Sequence, residues 1–324
     1  MPPAGEEDRP VIAVDLGATT TRVALFGPGG VILDRVASPT PASGDSAGEV
    51  TGHLSSLIRN LLSAHGEISP VAIGVSAAGP IDHRKGSLVR PPNLPFPEVP
   101  LGGPLGAEFG LPVRLANDCH AGVLGEAVFG AGAGCRDLAY VTLSTGIGGG
   151  IVCNGALVLG RDGNAAEIGH FHVDSTWNLP CGCGGTGHWE GYASGRFIPR
   201  FFDRWCESGG HDPAGIDRSS AAGIFAAAGR GHPAALGFMK ALGEINGRGI
   251  SDVIVAYDPS RIVLDGSVVL RNRDLVLGNL LPCIDRFLPT PDIRVTALDG
   301  LAPLWGASVL ARGYDTPIGS LLPG

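Results

Sequence analysis

The sequence predicts an α/β protein made of two similar halves, and three observations support this prediction. Apolar strands joined by small polar turns begin near residue 11, and the same pattern begins again near residue 137. In each half, alternating strand-like and helix-like stretches follow. The length of 324 residues, with 44% hydrophobic and 17% charged residues, provides for two domains with large cores. Two facing halves would enclose a cleft, and clefts between domains commonly bind small ligands.

The first half begins with three apolar stretches that we interpret as strands, followed by an amphipathic helix and a buried strand. They lie, in this order, at residues 11–17, 21–27, 31–38, 47–65 and 71–79. At residues 115–126 a short strand gives way to a helix, with Asn117 and Asp118 at the junction. We predict a small N-terminal domain over residues 11–116, closed by a C-terminal helix near residues 303–312.

The second half repeats this order and predicts a large domain over residues 117–302. Its predicted strands lie at residues 137–146, 148–158, 167–174, 261–269 and 292–298. Its predicted helices lie at residues 190–206, 219–229 and 233–257. A further helix is expected between the last two strands.

Composition limits the class of protein and its partners. Residues 1–10 are acidic and rich in proline, without the apolar core of a targeting signal, so we predict a disordered tail. Glycine, proline or charge interrupts every apolar stretch before about 18 residues, so we expect no membrane partner. The net charge of −8 and the lack of a basic run argue against nucleic acid. Seven cysteines without a signal peptide indicate a reducing compartment, and we expect the cytoplasm.

Two thiols, two imidazoles and two carboxylates are concentrated in EIGH (167–170) and CGCGGTGHWE (181–190). Thiolate and imidazole suit a four-coordinate zinc ion, and a closed set of four such ligands is structural. The predicted ligands are His170, Cys181, Cys183 and His188. Glu167 and Glu190 flank them, so a metal that folds this segment would also orient both carboxylates.

This segment allows other interpretations. The glycines of residues 182–187 match a dinucleotide-binding GxGxxG loop, but no strand precedes them as that loop requires. The two cysteines could form a redox or disulfide pair, although a single intervening residue strains such a disulfide. His172 is a spare candidate for the fourth zinc ligand, because alternate residues of a regular strand would place it on the same face as His170.

Each half carries a turn of glycine and threonine between its first two strands, within DLGATTTR (15–22) and LSTGIGGG (143–150). Exposed N–H groups and threonine hydroxyls can bind phosphate oxygens, and glycine lets the backbone approach a ligand. Asp15, at the end of a strand, is suited to holding Mg²⁺ through water. The chain has no GxxxxGK[ST] loop, which excludes P-loop chemistry. Such turns at matching positions of both halves predict that nucleotide phosphate is bound.

Asn117 and Asp118 allow a structural and a chemical interpretation. An Asn-Asp pair where a strand meets a helix is most often a helix cap. An aspartate at the edge of a cleft could instead accept the proton of a substrate hydroxyl. The residues alone leave both interpretations open.

Taken together, these segments resemble the ROK family (repressors, open reading frames and kinases) of the actin/hexokinase-like ATPase superfamily. The resemblance covers residues 11–312 and rests on segments like the family's two phosphate motifs, sugar-side segments, signature, zinc segment and adenosine-side turn. In that order they are DLGATTTR (15–22), TLSTGIGGGI (142–151), GVSAAGPID (74–82), PPNLP (91–95), LANDCHAGVLGE (115–126), EIGH (167–170), CGCGGTGHWEGYASG (181–195) and IVLDGSVV (262–269). The resemblance implies duplicated actin-like (ribonuclease H-like) α/β domains with an interdomain cleft.

The resemblance also implies an ATP-dependent kinase acting on the 6-hydroxyl of a hexose, with glucose as the first expectation. Asp118 would be the catalytic base. The implied substrate-binding residues are Gly79, Asn93, Asn117, Asp118, Glu167, His170 and Glu190. The implied residues for ATP and Mg²⁺ are Asp15, Gly17, Ala18, Thr19, Thr20, Thr145, Gly146, Gly148 and Gly266. A structural zinc ion, which would share His170 with the sugar, and a homodimer are implied as well.

The chain departs from the family pattern at three positions. His188 stands where a third zinc-binding cysteine is usual, and a Cys₂His₂ site is therefore expected. Ala18 replaces a second glycine in the first phosphate motif, which matters only if the turn requires positive φ. Asp265 stands where glycine is usual in the adenosine-side turn and could alter nucleotide preference.

The sequence allows functions other than a glucose kinase. An N-acyl hexosamine kinase or a fructokinase of the same family is the nearest alternative. A sugar-sensing regulator without catalysis is disfavoured by Asp118 and by the two phosphate-type turns. A transcriptional repressor of this family would need a DNA-binding module ahead of the strand that begins at residue 11.

Overall fold

The structure is a computed structural model that describes residues 9–41 and 46–313. Contacts within the chain define two compact units. Unit 1 comprises Met1–Arg136, Gly150–Ala165 and Ala297–Gly324, and unit 2 comprises Asp137–Gly149 and Ala166–Thr296. Apart from its last two residues, the predicted tail over residues 1–10 lies outside the described residues.

The helices and strands follow one another in the following order. The first are β1 (Val11–Leu16), β2 (Thr20–Phe26), β3 (Ile32–Pro39), α1 (Gly48–Ala64), β4 (Ile73–Ala77), β5 (Ile81–Asp82), β6 (Ser87–Val89), β7 (Glu98–Pro100), α2 (Gly102–Phe109), β8 (Val113–Asn117) and α3 (Asp118–Phe129). They are followed by β9 (Leu138–Leu143), β10 (Ile147–Cys153), β11 (Ala156–Leu157), α4 (Glu190–Ala193), α5 (Ile198–Gly209), α6 (Ala221–Gly229), α7 (Pro233–Tyr257), β12 (Arg261–Asp265), α8 (Ser267–Arg271), α9 (Arg273–Leu280), β13 (Asp292–Val295) and α10 (Ala302–Ala311).

Two five-stranded sheets repeat one strand order. The first has the order β3-β2-β1-β4-β8 and the second has the order β11-β10-β9-β12-β13. In the first sheet β1 pairs antiparallel with β2 and parallel with β4, and in the second β12 pairs parallel with both β9 and β13. Because the third, second, first, fourth and fifth strands follow one another in both sheets, the predicted duplicated α/β fold is confirmed.

The alternation of side chains along β1 builds the core of unit 1 in two layers. Ile12 and its neighbours at every second position pack with Leu54 of α1, whereas Val11 lies on the opposite face and packs with Leu304 of α10. All four side chains are inaccessible to solvent. Burial of a side chain of this size contributes about 1.5–3 kcal/mol. Helices on both faces therefore fix β1, at whose end Asp15 lies.

Helix α3 belongs to unit 1 because it packs closely against α10. A Cβ on Gly125 of α3 would overlap the carbonyl oxygen of Ala302, and a Cβ on Gly306 of α10 would overlap that of Ala121. Glycine at both positions lets the two helix backbones approach each other. The predicted domain limit at residue 116 remains a prediction, and the packing units differ from it in placing α3 with the first strands.

In unit 2, helix α7 anchors the segment that carries most of the chemistry. The Trp189 indole is fully buried and its Nε1 donates a hydrogen bond of 2.9 Å to Oδ1 of Asn246 on α7. A Cβ on Gly249, one turn further, would overlap the indole. No helix in the described parts of the chain is both long and apolar enough to cross a membrane.

Most predicted elements are confirmed within a few residues, but four predictions were wrong. Residues 167–174 are not a strand, because they form a 3₁₀ turn at Ile168–His170 followed by a single bridge at His172. Residues 190–206 form two helices, α4 and α5, with extended backbone at Ser194 between them. Residues 148–158 form two strands, β10 and β11. The strand predicted over 261–269 is shorter than predicted, because β12 ends at Asp265 and α8 begins at Ser267. Strands β5 to β7 and helix α2 were not predicted.

Candidate functional site

The first glycine- and threonine-containing turn joins β1 to β2 and is held by backbone contacts. The Gly17 N–H donates to the carbonyl oxygen of Thr20 at 3.2 Å, and a Cβ on Gly17 would lie 2.8 Å from that oxygen. Thr40 Oγ1 donates to the Gly17 carbonyl oxygen at 2.7 Å. Among the described residues, the non-glycine positions with positive φ do not include Ala18, so its methyl group fits the turn.

Asp15 lies just before this turn and is 5% exposed. Its Oδ2 accepts a hydrogen bond of 2.9 Å from Nη1 of Arg22, the residue opposite it on β2. Burial raises the pKa of Asp15 to about 6, although the Arg22 guanidinium acts in the opposite direction. The negative charge of Asp118 raises the pKa of Asp15 further, so the two carboxylates are within electrostatic reach of each other.

Asn117 and Asp118 lie where β8 ends and α3 begins. Oδ1 of Asn117 and Oδ1 of Asp118 both accept from the Cys119 N–H, at 2.8 and 2.9 Å, so the pair caps α3. A Cβ on Gly79 would lie 3.2 Å from Nδ2 of Asn117. Burial raises the pKa of Asp118, which makes its carboxylate a better proton acceptor. The cap and the proton acceptor are therefore compatible.

Parallel pairing in the first sheet explains why these groups meet. Asp15 on β1 is opposite Ser76 on β4, and Asn117 on β8 is opposite the next residue of β4. The carboxyl ends of the three strands lie at one edge of the sheet. Asn93, by contrast, is exposed, and no hydrogen bond among the described residues joins it to Asn117 or Asp118.

The second turn, between β9 and β10, is supported by α4. The Ser144 N–H donates to the Gly146 carbonyl oxygen at 2.9 Å. The Ile147 N–H donates to Oε2 of Glu190 at 3.1 Å, and the Gly195 N–H donates to the Ser144 carbonyl oxygen at 2.7 Å. The helix that begins at Glu190 therefore contacts the turn that contains Thr145, Gly146 and Gly148.

The adenosine-side turn that follows β12 requires its glycine. Gly266 has a φ of 94°, and a Cβ there would overlap the backbone of Leu143. Asp265, the departure from the family pattern, is 2% exposed. Its Oδ2 accepts from the Tyr140 hydroxyl at 2.8 Å, and its Oδ1 accepts from the Gly266 N–H at 2.6 Å. The carboxylate is thus engaged inside unit 2.

The four predicted zinc ligands come together. One ligand atom from each of His170, Cys181, Cys183 and His188 lies within 4.8 Å of the others. Sγ of Cys181 lies 3.7 Å from Nδ1 of His170, and Sγ of Cys183 lies 3.2 Å from Nδ1 of His188. Ligands around a tetrahedral zinc ion, with Zn–S near 2.3 Å and Zn–N near 2.0 Å, are separated by about 3.5 Å. The donor set fits zinc in both chemistry and spacing.

The surroundings of this cluster explain which histidines belong to it. Burial, followed by the charge of His170, lowers the pKa of His188 and favours the neutral imidazole that binds zinc. His172 forms a backbone bridge with His188, and its ring packs beside Gly187, outside the set of four. Glu167 is exposed and precedes the 3₁₀ turn of His170, where the His170 N–H donates to its carbonyl oxygen at 3.1 Å.

Two contacts at the site were missed from the sequence. The pairing of Arg22 with Asp15 had a readable signal, because a short hairpin turn places these two residues opposite each other on adjacent strands. The contact between Glu190 and the Ile147 N–H had none, because the two residues are 43 positions apart and belong to different motifs.

A duplicated α/β unit with one glycine- and threonine-containing turn in each copy defines the actin-like ATPase class of folds. The ROK family model matches residues 11–313, and the chain belongs to that family.

Individual relatives agree with this assignment. A glucokinase of Pyrobaculum calidifontis is 35% identical over 315 residues, which cover 94% of this chain and 95% of that protein. The ROK hexokinase of Thermus thermophilus has a TM-score of 0.80 at 31% identity, covering 93% of this chain and 97% of its own. A ROK family glucokinase of Streptomyces griseus, solved in complex with glucose and AMPPNP, has a TM-score of 0.76 at 31% identity, covering 94% and 99%.

Proposed function

We propose that this protein transfers the γ-phosphoryl group of Mg·ATP to the 6-hydroxyl of a hexose, with glucose as the main substrate. The observation that carries the proposal is the pair of carboxylates at one edge of the first sheet, the buried Asp15 and the half-buried Asp118, both with a raised pKa. The glucokinase of Pyrobaculum calidifontis and the Streptomyces griseus enzyme with glucose and AMPPNP support both substrates.

In the proposed reaction, Asp118 accepts the proton of the sugar hydroxyl as its oxygen forms a bond with the γ-phosphorus. The bond from that phosphorus to the β–γ bridging oxygen breaks, and ADP leaves. Phosphoryl transfer requires mainly positioning and charge neutralisation. The raised pKa of Asp118 brings its proton affinity closer to that of a group working near neutral pH.

The remaining residues are assigned roles by the family resemblance. The proposed contacts with sugar hydroxyls are Gly79, Asn93, Asn117, Glu167, His170 and Glu190. The proposed contacts with nucleotide phosphates are the Asp15–Thr20 turn and the turn of Thr145, Gly146 and Gly148, with Gly266 on the adenosine side. Mg²⁺ would supply charge neutralisation at the phosphates, and Asp15 would hold it through water.

A zinc ion bound by His170, Cys181, Cys183 and His188 is proposed to be structural. Four protein ligands leave no open position for a substrate. The ion would only hold its four ligands in place. The backbone that carries these ligands would then orient Glu190 and Glu167. We expect about one equivalent of zinc per chain in protein purified without chelators, measured by plasma mass spectrometry.

The activity is tested with a panel of sugars and phosphoryl donors on the purified protein. ADP release would be followed with glucose, mannose, fructose, N-acetylglucosamine and N-acetylmannosamine, each with ATP, other nucleotides and polyphosphate. We expect the highest kcat/KM with glucose and ATP. Preference for an N-acyl hexosamine or fructose would replace the substrate, and failure of all five sugars would contradict the function.

Two further properties are proposals of the same kind. No disulfide joins the seven cysteines, all of which lie in the described parts of the chain, and this supports a reducing, cytoplasmic setting. A homodimer is the assembly that the family resemblance implies. Light scattering coupled to size exclusion would give a mass near twice 33.0 kDa if this is correct.

A further inference from the structure

The zinc segment, defined here as residues 180–191, is closed at its base by a side chain outside the ligand set. Nη2 of Arg200, on α5, donates to the carbonyl oxygen of Pro180 and, at 3.2 Å, to that of Gly191. Pro180 immediately precedes the ligand Cys181, and Gly191 immediately follows Glu190. One guanidinium therefore joins the two chain ends of the segment.

Arg200 is held in this position by an aromatic ring. Its guanidinium carbon lies 4.5 Å from the centroid of the Phe197 ring, one turn earlier in the chain, which is a cation–π arrangement. Nε of Arg200 is buried and has no hydrogen-bond partner among the described residues. Burial of this unpaired N–H costs free energy. The two hydrogen bonds to carbonyl oxygens and the contact with the Phe197 ring act in the opposite direction.

A second contact closes the same base independently of any metal. The hydroxyl of Tyr192, which is fully buried, accepts from the Leu179 N–H at 2.8 Å and donates to Oδ2 of Asp174 at 2.9 Å. Leu179 precedes the zinc segment and Tyr192 follows it. The two ends of the segment are consequently held together by protein groups before a metal contributes.

The position of Gly191 determines the position of Glu190, because the two are adjacent at the start of a helix of four residues. Oε2 of Glu190 accepts from the Ile147 N–H, and a Cβ on Gly146 would lie 2.7 Å from the same oxygen. The Glu190 carboxylate therefore has little freedom next to the second turn. A displacement of Gly191 would move it off the Ile147 N–H.

We propose that Arg200 is a positioning residue that closes the base of the zinc segment and thereby holds Glu190 against the second turn. The consequence for zinc and substrates rests on the function proposed above, but the consequence for the Ile147 N–H does not. Among the described residues, Arg200 forms no hydrogen bond with a zinc-ligand side chain or with the turn, and it acts through the two backbone carbonyls.

The test compares Arg200→Met, which keeps the apolar stem, with Arg200→Lys and with Arg204→Met as a matched control. Arg204 lies one turn further along α5, is half exposed, and within the described ranges forms an ion pair only with Glu207, at 3.8 Å. The first measurement is hydrogen exchange of the Ile147 amide in the full-length protein. The second is the rate of zinc transfer to a chelator, and the third is KM against kcat for glucose and ATP.

Arg200→Met is expected to speed exchange at Ile147 and zinc release by about tenfold or more, the size typical of lost second-layer contacts at a metal site. KM for glucose should rise while kcat stays within a fewfold of the parent. Arg200→Lys keeps a donor but not the planar guanidinium, so its exchange rate, zinc release and glucose KM should lie between those of the parent and Arg200→Met. Arg204→Met should match the parent.

Equal exchange and zinc release in Arg200→Met and Arg204→Met would overturn the proposal. If Arg200→Met does not fold, the comparison of Arg200→Lys with Arg204→Met decides in the same way. If the parent protein holds no zinc, the proposed zinc site fails, and if it phosphorylates no sugar, the proposed function fails. In either case exchange at Ile147 still decides whether Arg200 positions Glu190.

Discussion

The two glycine- and threonine-containing turns occupy matching places in a duplicated unit but are supported differently. The first turn is braced from within its own hairpin and by the next strand, through Thr40, and its carboxylate Asp15 is paired with Arg22. The second turn has no such carboxylate and is braced by Glu190, which comes from the zinc segment. The two copies of the unit therefore share the turn but differ in the side chains that support it.

This difference separates the effects of mutation at the two turns. Changes near Thr40 or Arg22 should act on the first turn alone, because the hydrogen bonds described for these side chains lie within unit 1. Changes in the zinc segment should act on sugar contacts and on the second turn together, because Glu190 takes part in both. Mutations in the two regions can test whether their effects are separate. The first mutation concerns the residue on which the chemistry depends most.

The largest effect is expected from Asp118→Asn, which keeps the cap on α3 but removes the proton acceptor. kcat should fall by about 10²–10⁴-fold, with glucose affinity nearly unchanged. Steady-state kinetics and calorimetric titration with glucose would measure both. Asp212→Asn is the control, because Asp212 also accepts a backbone N–H bond, from Ala214, and lies in none of the motifs of the proposed site. A kcat within a fewfold of the parent would mean that Asp118 is only a cap.

Removal of zinc, by chelation or in a Cys181→Ser/Cys183→Ser double variant, should have the next largest effect. KM for glucose should rise by about 10–100-fold, the range for disturbed metal sites. KM for ATP should rise less, but measurably, because Glu190 also holds the second turn. Zinc content and both KM values are the measurements. An unchanged glucose KM would contradict the coupling, and retention of zinc by His188→Ala would favour His172 as the ligand.

The sequence predicted the fold where periodicity and end signals agreed. Helix α7 was predicted at residues 233–257 from its apolar periodicity, and the structure places Pro233 in its first turn, where proline is favourable. The strand predicted at 167–174 was wrong, because its backbone is bridged at His172 to residue 188 and turns tightly at His170. Contacts between distant segments decided the conformation there, and local pattern does not contain them.

The candidate site likewise contains residues that the sequence predicted and residues that it did not. The four predicted zinc ligands converge, because thiols and imidazoles at short spacing carry their own chemical signature. The role of Arg200 was not predicted, because it binds two backbone carbonyls and any residue can supply a carbonyl. Asn93, although predicted as a site residue, is exposed, and no hydrogen bond within the described parts of the chain joins it to Asn117 or Asp118.

A pH-dependent effect on stability is expected at the first turn. Because folding raises the pKa of Asp15 from 3.8 to about 6, the folded state binds more protons between these values, and its stability falls as pH rises through them. The change amounts to roughly 2–3 kcal/mol. In Asp15→Asn this component is absent, so the variant should gain stability relative to the parent between pH 4.5 and 7. Urea unfolding at pH 4.5 and pH 7 measures the free energy of unfolding of both proteins. An equal change with pH in the parent and in Asp15→Asn would contradict the raised pKa.

The smallest effect is expected from Thr40→Val, which removes the hydrogen bond to the Gly17 carbonyl oxygen and the contact of 2.9 Å with the Thr21 hydroxyl. Each of the two lost hydrogen bonds costs about 1 kcal/mol, and loss of the one to Gly17, which lies in the turn, corresponds to about a fivefold rise in KM for ATP. KM for glucose and the rate of zinc release should not change, because the second turn and the zinc segment have their own supports. Thr51→Val is the matched control, since Thr51 Oγ1 donates a bond of equal length, 2.7 Å, to the Pro100 carbonyl oxygen elsewhere in unit 1. An equal rise in ATP KM in both variants would mean that general destabilisation, not the first turn, is responsible.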